Sequence, residues 1–258
     1  MTENTPSELA SAPTAITRAI EAFVKGFGFT RSFTHPYLAE RVGPLWVLRD
    51  APRKHGKYRT EEWVAYNVAP AEIDRIARQH TRGHFAVCAI CDLATPHEPL
   101  RSAFKSLGYR LGTSEPLMIH SLSELPHFES PVVIQRVTTV ELAQQLARAN
   151  HTRPLLPEYF LSTSRLRQYV ALVDDKVVGW VRSIVVGQAT WCSDMYVEPA
   201  FRRRGIARAM LCRLLQDDAA GGAQEAVLLA SHTGAKLYAA VGYQQLGTLL
   251  LFTPKVSL

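Results

Sequence analysis

Three consecutive arginines and a glycine, Arg202-Arg203-Arg204-Gly205, lie between an apolar run ending at Tyr196 and a helix-like run from Ala207 to Leu215. A turn of this kind presents free backbone N–H groups at a helix start, where the helix dipole favours negative charge. Three guanidinium groups beside those donors suit a pyrophosphate, and Gly205 lets a phosphate approach without meeting a Cβ. No G-K-[ST] follows, so the turn is not a P-loop, and a single glycine does not make a dinucleotide fingerprint. The other chemistry-bearing spacing is Cys88-x-x-Cys91. It falls inside a strand-like run, Phe85 to Leu93, where residues three apart face opposite sides, which fits a shared metal or disulfide badly. His84 and His97 are the neighbours that would complete a zinc set. With Cys192 and Cys212, the pair reads better as buried thiols in a reducing cytoplasm, with no metal.

The elements that must hold the arginine turn recur regularly after residue 131. Ser123–Pro131, with two prolines and polar residues, reads as a linker. Beyond it the pattern gives a strand over 132–137 and a helix over 139–150 capped by Thr139. A loop and second helix occupy 151–168, and strands follow over 169–173, 177–186 and 189–197. A helix over 205–217 ends at Gly221-Gly222. A strand (225–230), a helix (233–241) and a last strand (244–253) finish the chain, and that last strand is long enough to pair with another copy. The helix over 233–241 leads into Leu237-Tyr238-Ala239-Ala240-Val241-Gly242-Tyr243.

The arginine loop, R-x-x-G-x-A at Arg202–Ala207, together with this L-Y-x-x-x-G-[FY] tail, resembles the GCN5-related N-acetyltransferases (GNAT) over residues 132–258. The resemblance implies an acetyl-CoA-dependent enzyme. It implies that the backbone at Arg203, Arg204, Gly205, Ile206 and Ala207 holds the pyrophosphate, with Arg202 and Arg204 as counter-charges. It further implies that the strand before the loop is splayed from its neighbour, with the Met195 amide facing the thioester carbonyl and Val197 bonding further along the pantetheine arm. Tyr238 matches the usual general acid, since a phenol can donate to a departing thiolate. Asp194 resembles half of the Glu-Asp pair of polyamine-type relatives, but Ser193 stands in the glutamate's place. Asp194 either binds a cationic amine, deprotonates it through water, or pairs structurally. Trp191 stands where another usual acid is found, so the base is not legible.

The first half carries a fainter echo. Leu100–Gly112 parallels Ala235–Gly247, Phe85–Asp92 parallels Glu225–Ala230, and Val68-Ala69-Pro70 parallels Val197-Glu198-Pro199. Internal duplication accounts for this. The departure is at Ala71-Glu72-Ile73-Asp74-Arg75, where acidic side chains replace the arginine–glycine loop and no glycine permits close approach. The expected architecture is therefore α/β (α+β), with two GNAT-like mixed-sheet domains and helices on both faces. Residues 1–122 form the degenerate copy, structural or a wall of the substrate site, with a floppy first dozen or so residues. Residues 123–131 form the linker, and 132–258 the complete, cofactor-binding copy.

Composition agrees with a globular enzyme: 47% apolar residues and a formal charge of +6. Much of that charge sits in the arginine turn and in Arg49–Arg59, and CoA is anionic enough to explain it without nucleic acid. No stretch is long and apolar enough to span a membrane, and the N-terminus lacks the pattern of a signal peptide. The expected protein is a cytoplasmic N-acetyltransferase acting on a primary amine of a small molecule, by direct attack in a ternary complex, as a monomer or homodimer. The alternatives are a protein or peptide amine as acceptor, or an acyl-CoA sensor or non-catalytic subunit.

Overall fold

The computed structural model describes residues 13–255; the expectation for the first twelve residues lies outside them. The first half contains α1 (Ala15–Arg31), β1 (Tyr37–Val42), β2 (Leu45–Asp50), β3 (Glu61–Tyr66), α2 (Pro70–His80), β4 (Phe85–Asp92), α3 (His97–Ser106) and β5 (Tyr109–His120). The second contains β6 (Val133–Arg136), α4 (Val140–Ala149), β7 (Leu166–Val173), β8 (Lys176–Val186), β9 (Ala189–Val197), α5 (Ile206–Ala220), β10 (Glu225–Leu229), α6 (His232–Ala239) and β11 (Gln244–Pro254).

All the described strands join one mixed sheet in the order β1-β2-β3-β4-β11-β5-β10-β9-β8-β7-β6. The two halves repeat each other. In each, a parallel pair (β3–β4, β9–β10) is bridged by a helix, and a second helix leads to a closing strand. The closing strands are exchanged. β11 pairs with β4 and β5, both from the first half, while β5 pairs with β10 and β11, both from the second. The last strand is thus an interior strand, and it has no free edge for another copy to join.

Side-chain alternation along the strands divides the core between the two faces. Along β4, Cys88 packs in the cluster under α1, whereas Cys91 packs in the cluster under α2 and α3. α5 and α6 cover the second half on that latter face, and α4 lies on the α1 face. The C-x-x-C therefore points its two thiols to opposite sides of the sheet. The repeat extends to the turns: Gly108 (φ +85°) and Gly242 (φ +99°) each end a helix in the left-handed region, and the tyrosines that follow, Tyr109 and Tyr243, are buried.

Two elements differ from the sequence reading. α1 is a full helix with Thr14 as its cap, burying Ile16, Ile20, Phe23 and Val24. Two glycines lower its intrinsic propensity, but Gly26 has a tertiary reason, because a Cβ there would lie 2.3 Å from the Trp191 side chain. No second α-helix forms in 151–168; Pro154 and Pro157 leave only a short 3-10 turn over Pro157–Phe160.

Candidate active site

The site begins with how β9 ends. β10 pairs with β9 only at Glu225↔Ala189, Ala226↔Thr190 and Val227↔Trp191. From Cys192 to Val197 that edge of β9 is unpaired although β10 runs on to Leu229, so the two strands splay. On its other edge, β9 pairs with β8 through a bulge: Arg182 faces Ser193 and Trp180 faces Tyr196, leaving Asp194 and Met195 opposite Val181 alone. Asp194 adopts φ +58° to make this possible, a conformation that Asp tolerates better than most residues. The Glu198 N–H donates to the Val178 carbonyl at 2.8 Å, and the Val181 carbonyl accepts from Gln168 Nε2 on the β7 side at 3.0 Å. By alternation, the main-chain groups of Met195 and Val197 face away from β8, toward the open edge.

The turn after β9 is held by Arg202, whose Nε donates to the Val197 carbonyl at 2.8 Å. Arg203 (φ +65°) and Gly205 (φ +82°) then bend the chain into α5 at Ile206. Arg202, Arg203 and Arg204 are exposed, and among the described residues Arg203 and Arg204 have no carboxylate partner. The N–H groups of the first turn of α5 therefore open beside free positive charge. Phe128 of the linker packs against Gly205; a Cβ there would lie 2.8 Å from its Cζ. The Arg208 guanidinium covers the same ring at 4.6 Å. The turn is thus one that only glycine fits, and its donors and charge match a pyrophosphate.

Tyr238 lies on α6, on the α5 face of the splay. It shares a hydrophobic cluster with Cys192, Val197, Ile206, Met195 and Ala207 and packs edge-on against Tyr243 at 5.8 Å. Burial, with Cys192 adding to it, pushes its phenol above the ordinary tyrosine range, so it stays protonated as a donor. The structure thus brings Met195, Val197, the α5 start and Tyr238 together, with the three arginines at the rim. Asp194 stands apart: it is exposed and ion-paired with Arg182.

Arg182 and Phe128 were not singled out from the sequence. A lone arginine in the apolar run 177–186 and a lone aromatic in the linker were the available signals. Beside Arg182, whose guanidinium lies over the Phe33 ring at 5.8 Å, aromatics from both halves meet, with Phe29 and Phe33 against Tyr159 at 6.1 and 5.8 Å. Among the described residues of the first half no comparable cleft exists, since β3 and β4 pair along the whole of β3 and α2 starts at Pro70 with Glu72 in its first turn. The basic run 49–59 is largely spent internally: Arg49 on Glu40, and Arg53 and Arg59 on Asp50. Among the described residues no group of three His, Cys, Asp or Glu is placed to hold a metal ion, and no helix is long and apolar enough to cross a membrane.

A family profile for the acetyltransferase (GNAT) domain matches residues 164–245, the segment that contains the splay, the bulge, the arginine loop and Tyr238. The match covers about two thirds of the second half and is the part that carries the site. Solved structures resemble the chain over most of its length. A GCN5-related N-acetyltransferase from Kribbella flavida has a TM-score of 0.62 at 20% identity, over 92% of this chain and 95% of that one. A functionally unknown conserved protein from Staphylococcus epidermidis gives 0.60 at 17%, over 88% and 98%. A GCN5-related N-acetyltransferase from Sphaerobacter thermophilus gives 0.53 at 21%, over 83% and 79%. At these identities the likeness establishes the fold alone, over most of the chain. No curated protein matches the sequence.

Proposed function

We propose that the protein is an acetyl-CoA-dependent N-acetyltransferase that acts on a primary amine of a small molecule by direct attack in a ternary complex. One observation carries this reading: the open edge of β9, bulged at Asp194–Met195, runs straight into an uncommitted basic helix start. The backbone of Arg203–Ala207 would hold the pyrophosphate, with Arg202 and Arg204 as flanking charge. Val197 would pair with the pantetheine arm as an added strand would. The Met195 amide would polarise the thioester carbonyl, and Tyr238 would protonate the departing thiolate. Asp194 shapes the bulge, and through Arg182 it sets the charge at the acceptor side.

Direct attack is favoured by the state of the thiols. All four cysteines are buried and unpaired. Burial, reinforced by Asp218, drives the Cys192 thiol far up, which makes it a poor nucleophile. Reduced thiols of this kind also fit a cytoplasmic enzyme. A small acceptor is favoured by the aromatic wall that α1 and the 157–160 turn raise over that face. The test is initial-rate kinetics of thiol release from acetyl-CoA with a panel of primary amines. Intersecting double-reciprocal lines are expected, and Tyr238→Phe should lower kcat about 10- to 1000-fold with acetyl-CoA affinity kept within about twofold. Parallel lines would contradict direct attack, and an unchanged kcat would leave Tyr238 a packing residue. Acetyl-CoA binding without turnover of any amine would favour a sensor.

A further inference from the structure

We infer that Glu115, a residue of the first half, is the base that deprotonates the acceptor amine. The inference rests on the acetyl-transfer reading above. It starts from register. β10 pairs with β9 up to Val227↔Trp191 and with β5 up to Leu229↔Leu117. The Ala230 N–H still donates to the Pro116 carbonyl at 2.9 Å. Continuing the β5 register sets Glu115 opposite Ser231, where β10 gives way to α6, while on the other side β9 has parted from β10 beyond Trp191 and carries the bulge. The bulge and Glu115 therefore flank the mouth of the splay, the bulge on the β9 side of β10 and Glu115 on the β5 side. A glutamate reaching inward from one side can meet an amine seated over the bulge, directly or through one water.

The faces also match the task. Glu115 lies opposite Leu249 and two residues from Leu117, and both leucines pack in the cluster under α1. Alternation sends the Glu115 side chain to that face, whereas Tyr238 occupies the α5 face. Acid and base thus approach the bulge from opposite sides, as required when the thiolate leaves on one side and the amine arrives on the other. Asp194 is a weaker choice because its carboxylate is paired with Arg182. Glu62 is weaker too, since it is paired with Arg31 at 3.5 Å and lies on β3, on the far side of β4 and β11 from Glu115.

Glu115 is half-buried, and burial raises its carboxyl above the ordinary range while His232 pulls it back. A base moved toward working pH is the more effective one. The groups facing it are His232 from α6, which is hydrogen-bonded to Ser114 at 2.9 Å, Glu62 from β3 and Cys88 from β4. In the step, Glu115 accepts the proton that frees the ammonium lone pair and passes it to solvent. The nitrogen bonds to the thioester carbonyl carbon, and the C–S bond breaks. The thiolate takes the Tyr238 phenolic proton, and the second proton shed by nitrogen restores the phenol.

The test uses the full chain with acetyl-CoA and two kinds of acceptor: primary alkylamines, and hydroxylamine, whose nitrogen is largely uncharged at neutral pH. Glu115→Gln should bind acetyl-CoA within about twofold of wild type by calorimetry. Its kcat/KM for the best alkylamine should fall about 100-fold or more, with the rising limb of the pH profile lost. The loss with hydroxylamine should be much smaller, and Glu115→Asp should restore part of the rate and the limb. A Glu115→Gln enzyme that keeps the wild-type limb, or loses both acceptors equally while binding acetyl-CoA normally, would overturn the assignment. Wild-type protein that binds no acetyl-CoA would defeat the transfer reading itself, and this inference with it.

Discussion

At the residue scale, the motif positions were legible because their chemistry is local. A helix start with three guanidinium groups and one glycine needs no partner to be recognised, and Gly205 adopts the left-handed conformation that the turn demands. Residues whose meaning is tertiary were not legible. Phe128 matters only because it lies against Gly205, Arg182 only because it meets Asp194, and Glu115 only because its strand crosses into the other half. Glu62 gives a residue-scale prediction. Burial, aided by Glu115 and opposed by Arg31, pushes its carboxyl up to about 7 from an ordinary 4.5. Between those values the folded chain keeps a proton that the unfolded chain has shed, so this group costs stability as pH rises through the window. Glu62→Gln should therefore gain on wild type, by about 1–3 kcal/mol between pH 5 and pH 8, in denaturant unfolding. A difference that does not change with pH would contradict the buried-carboxyl account.

At the element scale, α5 is fixed to the sheet by polar bonds as well as apolar packing. Asp218 is fully buried and accepts from Arg167 (2.7 Å), Ser183 (2.8 Å) and Thr190 (2.7 Å), one residue each from β7, β8 and β9. Asp218→Ala would leave Arg167 buried without its partner, so a loss of about 3–5 kcal/mol is expected in urea unfolding. A loss below about 1 kcal/mol would mean that the leucines and Met210 alone hold the helix. The order of strands and helices in the second half was readable from periodicity and caps, as with Thr139, whose side chain accepts from the Leu142 N–H. The helix expected within 151–168 fails on two prolines. α1 is not legible in the sequence because glycines break its pattern, one of them placed for Trp191.

At the scale of the whole molecule, the duplication was visible in the L-G-Y echo, but the exchange of closing strands was not. Strand partners depend on which half reaches which, and no local pattern encodes that. The exchange makes the halves interdependent: β11 has only first-half neighbours. Residues 123–258 expressed alone should aggregate or dimerise, and co-expression with residues 1–122 should restore a 1:1 complex. A monodisperse, acetyl-CoA-binding monomer of 123–258 would contradict this. It also gives the degenerate copy a purpose, since without its own splay it contributes β4, β5 and α1 to the working half. The central claim, one functional cleft per chain, is tested most directly by calorimetric titration of the full chain with acetyl-CoA. Wild type and an Arg203→Glu/Arg204→Glu variant should be compared, since both side chains are exposed and free of carboxylate partners among the described residues. One site per chain, weakened about tenfold or more by the charge reversal, is the predicted result. Two sites, or binding indifferent to the reversal, would contradict it.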